Sequence, residues 1–143
     1  MIRYADTCIL LSLHFRDAGT QAALAWLEAA GAETIVITPW TRTEFASAAG
    51  IMARRGDISA ELHREGLTRF DRLVASRLAV EAVTTADFDR ASAWIANFHS
   101  GLRAGDGLHL AVCTRMNAQL CTADETLAKA ARAVGLSVHT VTT

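Results

Sequence analysis

The fold of this chain is decided by the stretch QLCTAD, residues 119–124, where a short β-type run ends in a carboxylate at the start of a predicted helix. The run Ile2–Ala5 repeats this arrangement near the N-terminus and is followed directly by Asp6. Carboxyl ends of parallel strands gather along one edge of a sheet, and ligands usually bind there. We therefore expect Asp6 and Asp124 to lie at the same edge.

The rest of the chain alternates short β-type runs with longer helical ones. This alternation predicts an α/β domain with a five-stranded, mainly parallel sheet flanked by helices, and we expect residues 1–143 to form one domain. The expected strands are Ile2–Ala5, Thr34–Thr38, Leu78–Val83, Gln119–Thr122 and Leu136–Val141. The expected helices are a short one at Ile9–Leu13, then Gln21–Ala30, Thr41–Arg55, Ile58–Arg77, Thr84–Phe98, Asp106–Asn117 and Asp124–Val134.

Two further carboxylates occupy comparable places. Glu44 lies just beyond the second predicted strand, and Asp106 opens a helix that is rich in small and apolar residues. Four acids brought to one edge repel one another, and a divalent cation relieves that repulsion. Hard oxygen ligands are those that Mg²⁺ or Mn²⁺ prefers. Asp6, Glu44, Asp106 and Asp124 are therefore the candidate metal ligands and catalytic residues.

Each acid, taken singly, also fits an ordinary structural role. Thr41–Glu44 and Thr122–Glu125 fit capping boxes, and Asp6 and Asp106 fit N-caps. The segment Thr84–Asp87 has the same capping pattern away from the predicted site. The case for a metal site therefore depends on the four acids as a set.

Composition narrows the classes of protein. With 51% hydrophobic and 20% charged residues, the 143-residue chain is typical of a globular protein and not of a disordered one. A net charge of -1 excludes a global basic field for nucleic acid, so any such contact must be local. Cys8, Cys113 and Cys121 form no C-x-x-C pair, which excludes a disulfide framework and a zinc site. The apolar run Ile9–Leu13 is too short to cross a membrane, so we expect a cytoplasmic protein.

Four blocks of sequence carry a family resemblance. They are YADT (residues 4–7), TPWTRTE (38–44), LRAGDGLHLA (102–111), and TAD (122–124) followed by LAKAA (127–131). Over nearly its whole length the chain resembles the PIN-domain ribonucleases, in particular the VapC-like toxins of bacterial toxin–antitoxin pairs. The third and fourth blocks, in this order and spacing, are the most specific.

The resemblance implies a function and a site. It implies an endoribonuclease that hydrolyses RNA phosphodiester bonds with Mg²⁺ or Mn²⁺ and is neutralised by a cognate antitoxin. The family's metal-binding acids fall on Asp6, Glu44, Asp106 and Asp124. A homodimer or a toxin–antitoxin hetero-oligomer is also implied. An apolar surface on the two middle helices would suit an amphipathic partner helix.

Residues close to these acids admit two roles. Thr7 and Thr122 either hydrogen-bond a carboxylate or serve packing alone. His109 lies three residues after Asp106 on the same helix face, so it is either a metal ligand or a structural residue, and the resemblance favours the second. Gly107 stands where alanine is common in the family, and we expect it to loosen the helix start by roughly 1 kcal/mol.

Two other functions stay open. A catalytically inactive PIN-like binding module would keep the fold without the activity, and the intact acidic set counts against it. A receiver-like, Mg-binding regulatory domain is also α/β, but it needs an aspartate at the end of its third strand and a lysine near a late strand. Here Leu78–Val83 ends without an aspartate, and Lys129, the only lysine, lies within a predicted helix.

Overall fold

Short strands and longer helices alternate along the chain in a computed structural model that describes residues 1–142. The strands are β1 (Ile2–Ala5), β2 (Thr34–Ile37), β3 (Leu78–Val80), β4 (Gln119–Thr122) and β5 (Val138–Thr140). The α-helices are α1 (Thr7–His14), α2 (Thr20–Ala30), α3 (Pro39–Arg54), α4 (Ala60–Ser76), α5 (Thr85–Ala96), α6 (Ala104–Met116) and α7 (Glu125–Ala133), with a short 3-10 helix at Phe98–Ser100. Within residues 1–142, every helix is too short or too polar to span a lipid bilayer.

The five strands form one sheet in which every neighbouring pair is parallel, in the order β3-β2-β1-β4-β5. The predicted five-stranded parallel sheet is therefore confirmed. The chain builds outward from β1 to β3, and then returns to place β4 on the other side of β1. Ligands bind beyond the carboxyl ends of the strands at such a reversal of strand order. The backbone N–H of Asp6 donates to the carbonyl of Cys121 at 3.0 Å, which holds the ends of β1 and β4 side by side.

Helices cover both faces of the sheet because neighbouring strand residues point to opposite faces. Ala5 and Ile37 belong to a core that packs against α1, α2, α3 and α4. Tyr4 and Leu120 belong to a second core, with α6 and α7. A parallel sheet buried on both faces needs continuous apolar strands, which explains the unbroken run at β2.

Helix α6 packs against α5 so closely that position 107 has little room for a side chain. A Cβ atom at Gly107 would lie 2.8 Å from Cδ1 of Ile95 and 3.3 Å from Cβ of Ala91. Helix propensity alone favours alanine at this position, but packing opposes it. Close packing against α5 therefore explains the glycine at position 107, and the sequence alone does not reveal this packing.

Strand β3 is shorter than the predicted run Leu78–Val83 and ends at Val80. Beyond this point the chain is drawn toward Arg115 on α6. The Arg115 guanidinium donates to the side chain of Glu81 at 2.9 Å and to the carbonyl of Ala82 at 2.9 Å. The backbone N–H of Glu81 still donates to the carbonyl of Ile37 at 2.8 Å, and beyond it the contacts of Arg115 take the place of strand pairing.

Strand β5 is also shorter than the predicted run Leu136–Val141, because its first residues complete the preceding helix. The backbone N–H of Leu136 donates to the carbonyl of Ala131 at 3.0 Å, and Gly135 adopts a positive φ of 87°. Both features are typical of a helix C-terminus that closes with a left-handed glycine. The first bond to β4 is therefore the one that the carbonyl of Ser137 accepts from the backbone N–H of Leu120 at 2.9 Å, and β5 begins at Val138.

Candidate active site

The four candidate acids line a cleft at the carboxyl edge of the sheet. Glu44, Asp106 and Asp124 border a cavity of about 490 Å³. Asp6 and Glu44 border a second cavity, of about 580 Å³. Arg103 borders both cavities, so together they form one continuous surface. The structure thus gathers acids from four separate parts of the chain.

Asp6 is the most fixed of the four. It follows β1 and is the N-cap of α1, as predicted, with Oδ1 accepting the backbone N–H of Thr7 at 2.8 Å. Its Oδ2 accepts the hydroxyl of Thr122 at 2.7 Å and the thiol of Cys8 at 3.1 Å. Burial and the nearby charge of Asp6 raise the pKa of Cys8 to about 12, so the thiol stays protonated and donates. The side chain is 7% exposed and is oriented by three donors.

Helix α3 carries Glu44 into the cleft, and it begins earlier than predicted. Thr38 is the N-cap, Pro39 is the first helical residue, and the capping box joins Thr38 to Thr41. The capping box expected at Thr41–Glu44 is therefore wrong. Proline suits the first helical position because its missing N–H would have no partner there. Glu44 lies beyond the first turn and is not needed to cap the helix.

Glu44 is held by donors on one side and by a glycine on the other. Its Oε1 accepts the hydroxyl of Thr7 at 2.7 Å and is bonded to Nε2 of His109. A Cβ atom at Gly105 would lie 2.6 Å from Oε2 and 3.0 Å from Nε1 of Trp40. Burial raises the pKa of Glu44, but hydrogen bonds from His109 and Thr7 outweigh it and hold that pKa below its usual range.

Asp106 lies in the first turn of α6, whose N-cap is Arg103, so the expected N-cap role of Asp106 is wrong. Burial raises the pKa of its carboxyl group, and the charges of Asp6 and Asp124 raise it further. This carboxylate therefore lies among like charges that no basic partner fully balances. That is the repulsion that a bound cation would relieve.

Asp124 caps α7, which corrects the expected capping box at Thr122–Glu125. Its Oδ1 accepts the backbone N–H groups of Thr126 at 2.9 Å and Leu127 at 3.2 Å. The hydroxyl of Thr122 instead accepts the N–H of Asp124 at 3.0 Å. Because both capping bonds fall on Oδ1, the Oδ2 atom remains available to an ion.

The chemistry of these donors suits a hard dication such as Mg²⁺ or Mn²⁺. A buried donor, Nε1 of Trp40, also borders the cleft, where it helps to lower the pKa of Glu44. As the side chains stand, however, no three His, Cys, Asp or Glu residues in that range surround a common point as an ion requires. Ligation would therefore involve a change of rotamers or intervening water, and Mg²⁺ commonly keeps several waters.

Two features of the cleft were not predicted from the sequence. Arg103 is the only basic side chain that borders the two cavities in the described part of the chain. The sequence feature that could have identified Arg103 is its position three residues before Asp106, in the block LRAGDGLHLA. His109 bonds Glu44 and also Tyr4, and no pattern in the sequence links these three positions. Of the two roles that the sequence left open for Thr7 and Thr122, the structure shows the hydrogen bond to a carboxylate.

The fold and the cleft together define a class of protein: an α/β domain with a parallel sheet and an acidic cleft at the reversal of strand order. A family model described as the PIN domain matches residues 3–133. The chain belongs to the PIN domain family. The resemblance to PIN domains found in the sequence is thus confirmed.

Solved structures of similar fold include toxin–antitoxin proteins. VapBC2 from Rickettsia felis, solved with a fragment of promoter DNA, has a TM-score of 0.74 at 17% identity over 98% of each chain. VapC20 from Mycobacterium tuberculosis, a toxin that cleaves the sarcin–ricin loop, has a TM-score of 0.69 at 18% identity, covering 94% of this chain and 95% of that one. At such identities the likeness shows the fold alone. No curated protein sequence matches the chain.

Proposed function

We propose that this protein is a metal-dependent endoribonuclease toxin that hydrolyses RNA phosphodiester bonds and is neutralised by a cognate antitoxin. In this proposal residues 1–143 are one nuclease domain that acts on RNA in the cytoplasm. Asp6, Glu44, Asp106 and Asp124 hold Mg²⁺, or Mn²⁺ in its place. The observation that carries the proposal is that acids from four separate parts of the chain border one cleft at the carboxyl edge of the sheet.

The chain's own residues divide the work in the cleft. A bound dication would neutralise the phosphate and lower the pKa of a water molecule. Asp6 offers a buried and oriented carboxylate, and Glu44 offers a second one whose position is fixed by two donors. Arg103 supplies positive charge at the rim of the cleft, where it can donate to a phosphate oxygen and orient the RNA strand.

An antitoxin has a suitable place to bind. A groove of about 440 Å³ lies between α3 and α4, with Phe45, Leu67 and Phe70 among its lining residues. The apolar side chains of Ile51 and Leu62 on the same helices are 37% and 50% exposed. An amphipathic partner helix would cover such a surface. The toxin–antitoxin complexes among the similar folds support a hetero-oligomer, and a homodimer is the other assembly expected.

The proposal is tested with the purified protein and an RNA mixture in Mg²⁺, Mn²⁺ or EDTA. We expect cleavage that EDTA abolishes and that Asp106→Asn lowers more than about 100-fold, above the range typical of changes around a metal ligand. Glu125→Gln is the matched control, because Glu125 is an exposed acid next to Asp124 and borders neither cavity. Equal cleavage by the wild type and Asp106→Asn would contradict the proposal.

The same assay distinguishes the proposed enzyme from the main alternative, a catalytically inactive binding module. If the folded protein binds RNA or an antitoxin but cleaves no RNA with any metal, it is a binding module and not an enzyme. The absence of a closed set of ligands within residues 1–142 is the observation that makes this alternative worth testing. Growth of bacteria that express the wild type or Asp6→Asn tests toxicity separately.

A further inference from the structure

A buried chain of hydrogen bonds runs from the central strand β1 through α6 to Glu44 on α3. The hydroxyl of Tyr4 on β1 lies 2.6 Å from Nδ1 of His109 on α6, and Nε2 of the same ring bonds Oε1 of Glu44 on α3. Tyr4 is 0% exposed and His109 is 1% exposed. The two rings also meet edge to face, with their centroids 5.5 Å apart. Three elements that are distant in sequence are thus joined at one carboxylate.

The partners define which atoms donate. A carboxylate can only accept, so Nε2 of His109 carries the hydrogen that it donates to Glu44. The other ring nitrogen, Nδ1, bonds the hydroxyl of Tyr4, a group that can either donate or accept. The hydroxyl of Thr7 donates to the same Oε1 atom at 2.7 Å. These two donors therefore fall on one oxygen of Glu44, whereas Oε2 faces Gly105 and Trp40, which also line the cleft.

The surroundings of His109 make a packing role alone a poor explanation. Its sequence neighbours Leu108, Leu110 and Ala111 are buried and apolar, so His109 is a polar ring within an apolar segment of α6. A buried polar ring lowers stability unless its nitrogens are bonded. Here both nitrogens are bonded, and one of the bonds ends on a candidate metal ligand.

We propose that His109 is a positioning residue that orients Glu44 in the cleft, and that Tyr4 holds the imidazole ring in place from its other nitrogen. The inference rests on the proposed metal-dependent function, because it gives Glu44 a task that depends on orientation. Hydrogen-bond partners of metal ligands typically change metal affinity about 10- to 100-fold. His109 acts through Glu44 and does not itself contact the metal or the substrate.

The first test needs no metal and no activity. Two-bond ¹H–¹⁵N correlation spectra of the metal-free protein report which ring nitrogen of His109 carries hydrogen. We expect hydrogen on Nε2 of His109 in the wild type and in Tyr4→Phe, and loss of this single state in Glu44→Ala, which removes the acceptor. A wild-type ring with hydrogen on Nδ1 alone would overturn the proposal, whatever the protein does to RNA.

The second test compares two amides at position 109. The amide nitrogen of glutamine can reach the place of Nε2, whereas that of asparagine is too short to reach Glu44. By titration calorimetry with Mn²⁺ alone, we expect His109→Gln to bind like the wild type and His109→Asn to bind about 10-fold more weakly. In a Glu44→Ala background the two variants should bind Mn²⁺ equally, because the group they position is gone.

The control is His14→Gln, which changes a buried imidazole that bonds the carbonyl of Leu10 and not a cleft acid. It should lower Tm without changing the affinity for Mn²⁺. Equal Mn²⁺ binding by His109→Gln and His109→Asn, with weaker binding by Glu44→Ala, would overturn the role of His109 and leave the proposed function intact. If the wild type binds no Mn²⁺, the proposed function fails, and the tautomer measurement still decides whether His109 orients Glu44.

Discussion

Glu44 and Asp106 border the same cavity, yet their neighbours move their pKa values in opposite directions. Burial raises both, but side-chain donors, His109 first among them, reverse the effect at Glu44. At Asp106 the charges of Asp6 and Asp124 add to the effect of burial. Carboxylates with divergent pKa values in one cleft are typical of functional sites. The neighbours of each carboxyl group therefore set how readily it carries a negative charge in the cleft.

Asp106→Asn should stabilise the metal-free protein at neutral pH. An acid whose pKa is raised by folding contributes stability below its unfolded pKa of about 3.9, and that contribution is lost as the pH rises through the folded value. At pH 7 the charged Asp106 is therefore unfavourable, and the amide removes the repulsion from Asp6 and Asp124. We expect Tm in EDTA to rise by about 2–4 °C, the shift that about 1 kcal/mol gives a domain of this size.

Thermal unfolding followed by circular dichroism at pH 7 and pH 4 checks this expectation. The gain should shrink at pH 4, where Asp106 is partly protonated in the wild type. Asp71→Asn is the control, because Asp71 is exposed on α4 and borders neither cavity of the cleft. A lower Tm for Asp106→Asn at both pH values would show that the carboxylate is structural.

Gly105→Ala should displace Glu44 while the protein stays folded. The new Cβ would lie 2.6 Å from Oε2 of Glu44, whose side chain has little freedom to move without losing its bonds to Thr7 and His109. Alanine otherwise favours a helix by about 1 kcal/mol over glycine. We expect RNA cleavage to fall at least about 10-fold, as for other changes around a metal ligand.

Gly50→Ala is the matched control for this change. Gly50 also lies within a helix, and its Cβ would meet only a side-chain nitrogen of Arg54, at 3.3 Å. Its expected effect is a Tm equal to or above that of the wild type, with unchanged cleavage. Should Gly105→Ala keep full activity, the close approach of α6 to Glu44 is not needed by the site.

At the scale of elements, the sequence predicts the central strands well and the edges less well. Strands β1, β2 and β4 are buried on both faces, so the apolar run in each predicts the strand directly. The edge strands β3 and β5 compete with local alternatives, the contacts of Arg115 and the C-terminus of α7 respectively. Such competition depends on residues that meet only in the folded chain, and a local pattern does not report it.

The candidate acids were predictable for a related reason. Asp6, Asp106 and Asp124 follow a strand or lie in the first turn of a helix, and a parallel sheet gathers those positions at one edge, whereas Glu44 lies beyond the first turn of α3. Their capping roles were harder to predict, because Pro39 moves the start of α3 upstream of Thr41. The bond between Tyr4 and His109 joins residues 105 positions apart, and no periodicity signals such a pair.

Arg115→Met should destabilise the packing of α5 against α6. Arg115 donates to both oxygens of Asp87, at 3.0 and 3.2 Å from Nε, and Asp87 is 2% exposed. Removing the cation leaves a buried carboxylate bonded only to the capping box at Thr84. Because the Arg115 side chain is 33% exposed and partly screened, we expect a loss of about 1–3 kcal/mol, below the range for a fully buried pair.

The pH dependence of this loss has a definite sign. Burial raises the pKa of Asp87, but hydrogen bonds from Arg115 and Thr84 outweigh it and hold that pKa below its usual range. Such a group contributes stability above its unfolded pKa of about 3.9, and this is lost as the pH falls through the folded value. Denaturant unfolding should therefore show a smaller difference between the wild type and Arg115→Met at pH 2–3 than at pH 7.

The control for this pair is Arg42→Met. Arg42 pairs with Asp71 at 3.3 Å, and both side chains are well exposed. Exposed pairs typically contribute about 0–1 kcal/mol, so we expect little change in the free energy of unfolding. Equal losses in Arg42→Met and Arg115→Met would mean that the burial of Asp87 does not matter.

At the scale of the whole molecule, the fold gathers negative charge at one edge and stabilises it with contacts from every layer. The order β3-β2-β1-β4-β5 brings the ends of β1 and β4 together, and α3 and α6 add their acids from the two sides. Repulsion among these acids lowers the stability of the metal-free protein. A ligand that binds only the folded state returns stability as RT ln(1 + [L]/Kd).

Mn²⁺ should therefore stabilise the wild type and fail to stabilise Asp106→Asn. At a concentration 100 times its Kd, an ion adds about 2.7 kcal/mol to the free energy of unfolding, and each further tenfold adds about 1.4 kcal/mol. Wild-type Tm should rise with the logarithm of Mn²⁺ concentration above Kd, whereas Asp106→Asn should start higher in EDTA and stay flat. The two curves should cross, because the charge that destabilises the metal-free cleft is the charge that binds the ion. Parallel curves would show that Mn²⁺ binds elsewhere, and that the repulsion at Asp106 is not relieved by a metal.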